Sequence, residues 1–209
     1  MSSLRDLLNE INLLRSNPKE YADKVLKYQS YFDGNILRIP GTKGGIQTEE
    51  GPAAFAEAAN FLLSAEPIEE MTPSKGLTGI ANDLLSNIQN CEPDELDSID
   101  MNQIIEKYGS FGGNFSRAME FGGENAEQVI MNLLVNDGDK SRSQRDSLLD
   151  DNLKVVGIAS GKLKYFGNCS IIVSSTTFDN ILSKSDVQNY QYFNLFIIKI
   201  IYLILLKNN

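Results

Sequence analysis

The chain has 209 residues, enough for one medium domain with a substantial core, and its 42% hydrophobic content is ordinary for a globular protein. A formal net charge of −9 argues against nucleic acid or an anionic membrane as partner, because both are held by clustered Lys and Arg. Histidine is absent, which removes the commonest general base and the commonest transition-metal ligand together, and two cysteines, Cys91 and Cys169, cannot make a disulfide-dense scaffold. The N-terminus, Met1 to Asp6, enters a charged amphipathic segment with no apolar signal core, so the expected compartment is the cytoplasm. The glycosylation-type sequences beginning at Asn114 and Asn168 are read as chance matches on that ground.

In chain order, Leu4, Leu7, Leu8, Ile11 and Leu14 share one face of a helix expected over Leu4–Arg15, with Ser3 placed to cap it. Asn17-Pro18 restarts a second helix that runs to about Tyr28, with Asn17 as the expected cap and Pro18 in the first helical position. Residues 33–48 are a Gly/Pro connection with a short strand at Ile36–Arg38. Thr48-Glu49-Glu50 leads into a third helix from Pro52 to about Ser64, and Thr72-Pro73 is expected to start a fourth through Leu77, Ile80, Ala81, Leu84 and Leu85. The acidic run Cys91–Asp100 lacks the alternate-position oxygens and the bend glycine of a calcium loop. It reads as a solvated loop whose Asp100 caps a helix over Met101–Tyr108. Gly109–Gly123 is punctuated by glycines, with a short strand near Met119–Phe121.

Val129, Ile130, Leu133 and Leu134 then mark an amphipathic helix that ends at the turn Asn136-Asp137-Gly138. A Ser/Arg-rich loop and a short helix ending at Leu148-Leu149 feed a hairpin of Val155–Ala159 and Ser170–Val173. Within the loop, Arg142 and Arg145 are candidate contacts for a phosphate or an acidic partner peptide, since guanidinium forks suit bidentate oxyanions. The possible nucleophiles Cys169, Ser141 and Ser143 have no visible activating base, and Lys140 beside Ser141 carries no spacing signature. From Gln188 to Asn209 the chain uses only Gln, Asn, Tyr, Phe, Leu, Ile and Lys. A tail anchor, a docking helix with Phe193, Phe196, Ile197, Ile200, Ile201 and Ile204 on one face, and translated AT-rich flanking sequence of a protist genome all fit that composition. The expected division is a domain over residues 1–186 and an apolar tail over 187–209.

Several separated motifs, in order over about residues 4–178, resemble the CAP superfamily (cysteine-rich secretory proteins, antigen 5, pathogenesis-related 1) in its bacterial and protist SCP-like form. They are Leu8-Asn9-Glu10-Ile11-Asn12 with Arg15, Asn17-Pro18 and Tyr21-Ala22, then the frame from Asn136-Asp137-Gly138 to Arg145, then Val156-Gly157-Ile158. The resemblance implies an α+β fold, an α–β–α sandwich with a small antiparallel sheet between helical layers and a central cleft. It also implies a site of two His and two Glu able to hold a divalent metal. Position by position, the glutamate of the family's GEN motif falls on Arg117, the helix glutamate on Gln128 and the GHR histidine on Gln144; Gly123-Glu124-Asn125 spells GEN as well, out of step with the helix that follows. The remaining histidine has no counterpart near residues 87–97.

A neutral amide binds divalent metals weakly and an arginine brings fixed positive charge, so no catalytic residue, no metal and no cofactor is expected. Arg117, Gln128 and Gln144 are instead expected to form a hydrogen-bonded plug. The function this implies is a non-catalytic structural or protein-binding module, with protein partners in a larger cytoskeletal or ciliary assembly and no nucleic acid or membrane. The competing expectation is a residual hydrolase or a lipid-binding protein that uses the cleft.

Overall fold

The computed structural model describes residues 4–42, 44–92 and 99–181. The chain separates into two units, Met1–Asp179 and Asn180–Asn209, and the fold below is that of the first. The acidic residues 93–98, the tail and the expected boundary at 186/187 lie outside the described residues.

Helix α1 (Leu4–Ser16) buries Leu7, Ile11 and Leu14, the stripe its spacing dictates. Helix α2 (Pro18–Gln29) begins at Pro18 as expected, but Asn17 makes no side-chain cap; its amide donates instead to Ser16 Oγ at 3.1 Å. Three two-residue strands follow, β1 (Phe32–Asp33), β2 (Ile36–Leu37) and β3 (Ile46–Gln47), paired antiparallel in a small sheet of their own. Helix α3 (Pro52–Ser64) buries Ala54, Phe55, Ala58, Ala59 and Leu62.

Thr72-Pro73, expected to open a helix, is strand β4, and helix α4 (Lys75–Ile88) starts only after Ser74, whose hydroxyl accepts from Leu77 N. The cause is local. A residue before proline is pushed out of the α region, and Pro73 has no N–H to lose from a ladder. Thr72 N donates to Lys154 O at 2.9 Å and Ser74 N to Val156 O at 2.8 Å, so the pairing skips the proline. Asp100 caps the short helix α5 (Met101–Glu106) through Asn102 N and Gln103 N. Strand β5 (Gly109–Phe121) is far longer than the three residues expected, and helices α6 (Ala126–Val135) and α7 (Ser143–Leu149) precede the hairpin of β6 (Val155–Leu163) and β7 (Gly167–Asn180).

The main sheet runs β4-β6-β7-β5. The hairpin is antiparallel from Val155↔Ser175 to Leu163↔Gly167, while β4 lies parallel to β6, so the sheet is mixed rather than wholly antiparallel. β5 runs against β7, with Asn114 N on Thr176 Oγ1 at one end and Gly122 N on Asn168 O at the other. The period-two pleat sends alternate side chains to two cores. Val156, Ile158 and Ile172 join α1, α2, α3, α6 and α7, whereas Ala159, Ile171 and Val173 join α4 and α5. This is an α+β fold with helices on both faces of the sheet. Gly157 lets α4 close on β6, because a Cβ there would overlap the backbone of Leu77 and Thr78. Among the described residues no helix is long and apolar enough to cross a membrane.

One buried cation ties α1 to the chain before β6. The Arg15 side chain, fully buried, donates to Glu69 O at 2.8 Å, Leu148 O at 2.7 Å, Asp150 O at 3.1 Å and Leu153 O at 3.0 Å. Those carbonyls belong to turns and a helix end that have no ladder of their own to join, so the guanidinium stands in for it.

Candidate binding cleft

The region where the resemblance places its metal site is built from α3, β5, α6 and the loop after α6. Helix α6 begins at Asn125, whose side chain accepts from Gln128 N at 2.9 Å. It ends at Asn136 in the left-handed conformation that Asn tolerates, with φ 50°. Asn136 Oδ1 then accepts from Gln144 N at 2.8 Å, which folds the loop back on the helix end.

Two arginines lock that loop to α3. Arg142 grips Glu50 with both terminal nitrogens, at 2.6 and 2.9 Å, and reaches Glu57 through Nε at 3.2 Å. Arg145 grips Glu57 at 2.6 and 2.7 Å and gives Nε to Leu134 O at 2.7 Å. From the other side Asp137 accepts from Glu49 N at 2.7 Å and Glu50 N at 2.9 Å. Arg142 and Arg145, the expected anion or partner contacts, are thus both engaged inside the fold. Their donors are filled from within the fold, and the Arg145 side chain is 2% exposed. The pairing also sets the charge state. Hydrogen bonds from Arg142 hold Glu50 down to about 2, and Arg145 lowers Glu57. Ser141 and Ser143 donate their hydroxyls to Asp139 and hold its carboxyl at about 2, which leaves it a weak base.

Between this loop, the small sheet and β5 lies a cleft of about 270 Å3. Leu37, Ile46, Phe55 and Leu133 give it apolar walls, and Glu120, Asn132, Asp137 and Gln144 bring polar groups. Of the three positions singled out by the resemblance, only Gln144 lies here, and its Oε1 is buried with no hydrogen-bond partner. Gln128 is buried but holds the start of α6, its Oε1 accepting from Glu124 N at 2.9 Å. Arg117 is exposed on β5 between Phe115 and Met119, which pack toward α4 and α5, so it faces the other side of the sheet. The expected plug of Arg117 with the two glutamines does not form, because β5 is a full strand and its pleat turns position 117 away. Glu124, the acid of the alternative GEN frame, is exposed.

Sequence reasoning missed Glu120. It is 5% exposed and accepts from Gly123 N at 3.0 Å and Asn132 Nδ2 at 2.8 Å. Gly123 can approach so closely because a Cβ would strike Glu120 Oε2 and Val129. Burial raises the Glu120 carboxyl above its usual range. The available signal was period two along β5, which pairs Glu120 with buried Ala118, but it needed a strand longer than Met119–Phe121 to be seen. Cys169 is buried on β7, and burial pushes its thiol up to about 12, far from a thiolate at neutral pH. A wider depression of about 510 Å3 lies beside α7, where Asn114 and Asp150 are bonded to each other at 3.0 Å.

Among the described residues no group of three or more His, Cys, Asp or Glu converges as a metal site would require. Compared with protein-family models, curated proteins and solved structures, the chain gives no match.

Proposed function

We propose that the chain is a CAP-like domain that works without catalysis, as a structural or binding module in a protein assembly of the cytoplasm, of cytoskeletal or ciliary kind. The observation that carries this is the dispersal of the three positions at issue. Arg117 faces away, Gln128 is tied into a helix start, and Gln144 alone enters the cleft with a neutral amide. A catalytic zinc needs about three protein ligands around one open position, and water activation at neutral pH needs such a metal or a base poised near the working pH. Both cysteines are free thiols, as suits a reducing compartment.

The experiment is a calorimetric zinc titration of the full chain and of Gln144→His, beside a panel of ester and peptide substrates. Gln144→His supplies one ligand where about three are needed, so it is expected to fold and to remain metal-free and inactive. A stoichiometric site tighter than about micromolar in either protein would overturn the reading. Glu120 favours a second reading, a residual hydrolase, since a buried carboxyl in a cleft can serve as a general acid; hydrolysis lost in Glu120→Gln would establish that reading instead. Isolation of native assemblies from the source cell, with identification of what co-migrates, tests the partner.

A further inference from the structure

We propose that the cleft is a binding site for a small organic cation, an ammonium or guanidinium group on an apolar body, with N–H donors placed on Gln144 Oε1 and the Glu120 carboxylate. The inference rests on reading the cleft as a binding site rather than a catalytic one, and three observations support it independently of family.

The first is the acceptor without a donor. Gln144 Oε1 is buried and unpartnered, although the Gln144 backbone N–H donates to Asn136 Oδ1 at 2.8 Å. The large majority of buried side-chain polar atoms in folded proteins find a partner, so an unpartnered acceptor on a residue that lines a cavity is a place for a donor. The second is charge. The cleft lining carries two carboxylates, Glu120 and Asp137, and among its described residues no basic side chain. Asp137 is satisfied by two backbone N–H groups, but Glu120 has only the neutral Asn132 amide and the Gly123 N–H. Arg142 and Arg145, the nearest arginines of the loop, are neutralised by Glu50 and Glu57. A cation would supply the missing counter-charge and bring Glu120 back toward its ordinary ionisation, which burial alone opposes. The third is size and wall chemistry. About 270 Å3 is just under the usual size of ligand pockets, which suits a small ligand, and Leu37, Phe55 and Leu133 suit an apolar ring or short chain behind the charged head. An anion would face Glu120 and Asp137 and be repelled, and a neutral alcohol would satisfy Gln144 while leaving Glu120 without its counter-charge.

The same chemistry could reach the cleft as a free amine or as a lysine side chain of a partner, and the test separates the two. The full chain is titrated near pH 7 with benzylamine, N-acetyl-lysine amide, benzyl alcohol and phenylacetate, followed by NMR shifts of the Gln144 side-chain amide and by calorimetry. Saturable binding of benzylamine is expected, with benzyl alcohol at least about tenfold weaker and phenylacetate not bound. Glu120→Gln keeps an acceptor for Asn132 and Gly123, and Gln144→Met keeps the volume; each should weaken benzylamine by about tenfold or more. Asn114→Ala, in the separate depression beside α7, should leave binding unchanged. Binding of the lysine derivative in preference to benzylamine would also support the site and assign the cation to a partner's side chain. No saturable cation binding, equal binding of amine, alcohol and carboxylate, or binding indifferent to Glu120→Gln would overturn it. If Gln144→Met fails to fold, the wild-type amide shifts and the Glu120→Gln titration still decide. Substrate turnover by the unmodified chain would defeat the non-catalytic reading while leaving a measured cation affinity in place.

Discussion

At the scale of single residues, Arg15 joins four backbone carbonyls from separate parts of the chain. It is fully buried, and desolvation lowers its pKa, with the charges of Asp151, Asp150 and Glu69 opposing that shift. A buried charge of this kind costs free energy to desolvate, so its stabilising worth lies in the four carbonyls it serves, spread over positions 69 to 153. Arg15→Met preserves much of the volume and orphans those acceptors. At about 1–3 kcal/mol for each buried group left unpaired, offset by relief of the desolvation cost, the expected net loss is about 2–5 kcal/mol. That corresponds to a fall in melting temperature of about 5–15 °C for a domain of this size. Arg15→Lys should lose most of the same amount, since a single ammonium cannot reach four carbonyls arranged around a planar fork. Chemical denaturation of the two variants checks this, and a midpoint unchanged in Arg15→Met would mean that α1 is held by its apolar face alone.

At the scale of elements, the loop from Asn136 to Arg145 behaves as a clasp on α3, and acid should open it. Glu50 and Asp139 are held at about 2 and Glu57 is lowered, all below the ordinary carboxylate values of about 4. A carboxylate with a depressed folded pKa contributes stability that is complete above its unfolded pKa and is lost as pH falls through its folded value. Glu120 has the opposite sign, being raised, so its burial is best tolerated when protonated and it adds nothing to the acid loss. The expected outcome is a denaturation midpoint that declines between about pH 5 and pH 2, with faster amide exchange in the loop at the acid end. In Glu50→Gln the slope should be shallower; a slope identical to the native one would mean that the clasp does not couple to folding. The elements it joins differ in how well the sequence announces them. The α1 stripe of Leu7, Ile11 and Leu14, the α6 run and the hairpin follow simple periodicities, and all three form where expected. Strand β5 was largely hidden because it is an edge strand with exposed residues over much of its length, and a face that buries little leaves no alternation to detect. Strand β4 is ambiguous in the sequence because helix-starting chemistry and strand pairing use the same two residues, Thr72 and Pro73.

At the scale of the whole molecule, what escaped the sequence was mostly long-range partnership. The Arg142–Glu50 and Arg145–Glu57 pairs join residues 92 and 88 positions apart, and no local pattern distinguishes an arginine so committed from one free for a partner. Gln144 was placed in the cleft from the motif frame, but Glu120 and the lack of a donor on Gln144 Oε1 depend on how β5, α6 and the small sheet enclose it. The same enclosure bears on where the domain ends. Both faces of the main sheet are covered by helices drawn from residues 4–149, and the two buried clusters close with the hairpin, whose last buried apolar residue is Val173. Fully buried side chains such as Leu7, Ile11, Ile130 and Leu134 each contribute about 1.5–3 kcal/mol, so the unit ending at Asp179 has a core of its own. A fragment of residues 1–186 is therefore expected to be soluble and to unfold in one cooperative transition, with a midpoint within about 3 °C of the full chain's. Calorimetry with parallel circular dichroism measures this, and coincident transitions by the two probes would establish the domain boundary. Loss of the transition in the fragment would instead place residues beyond 186 among those that complete the core, and the tail would then be a folded part of the domain rather than a docking segment, an anchor or translated flanking sequence.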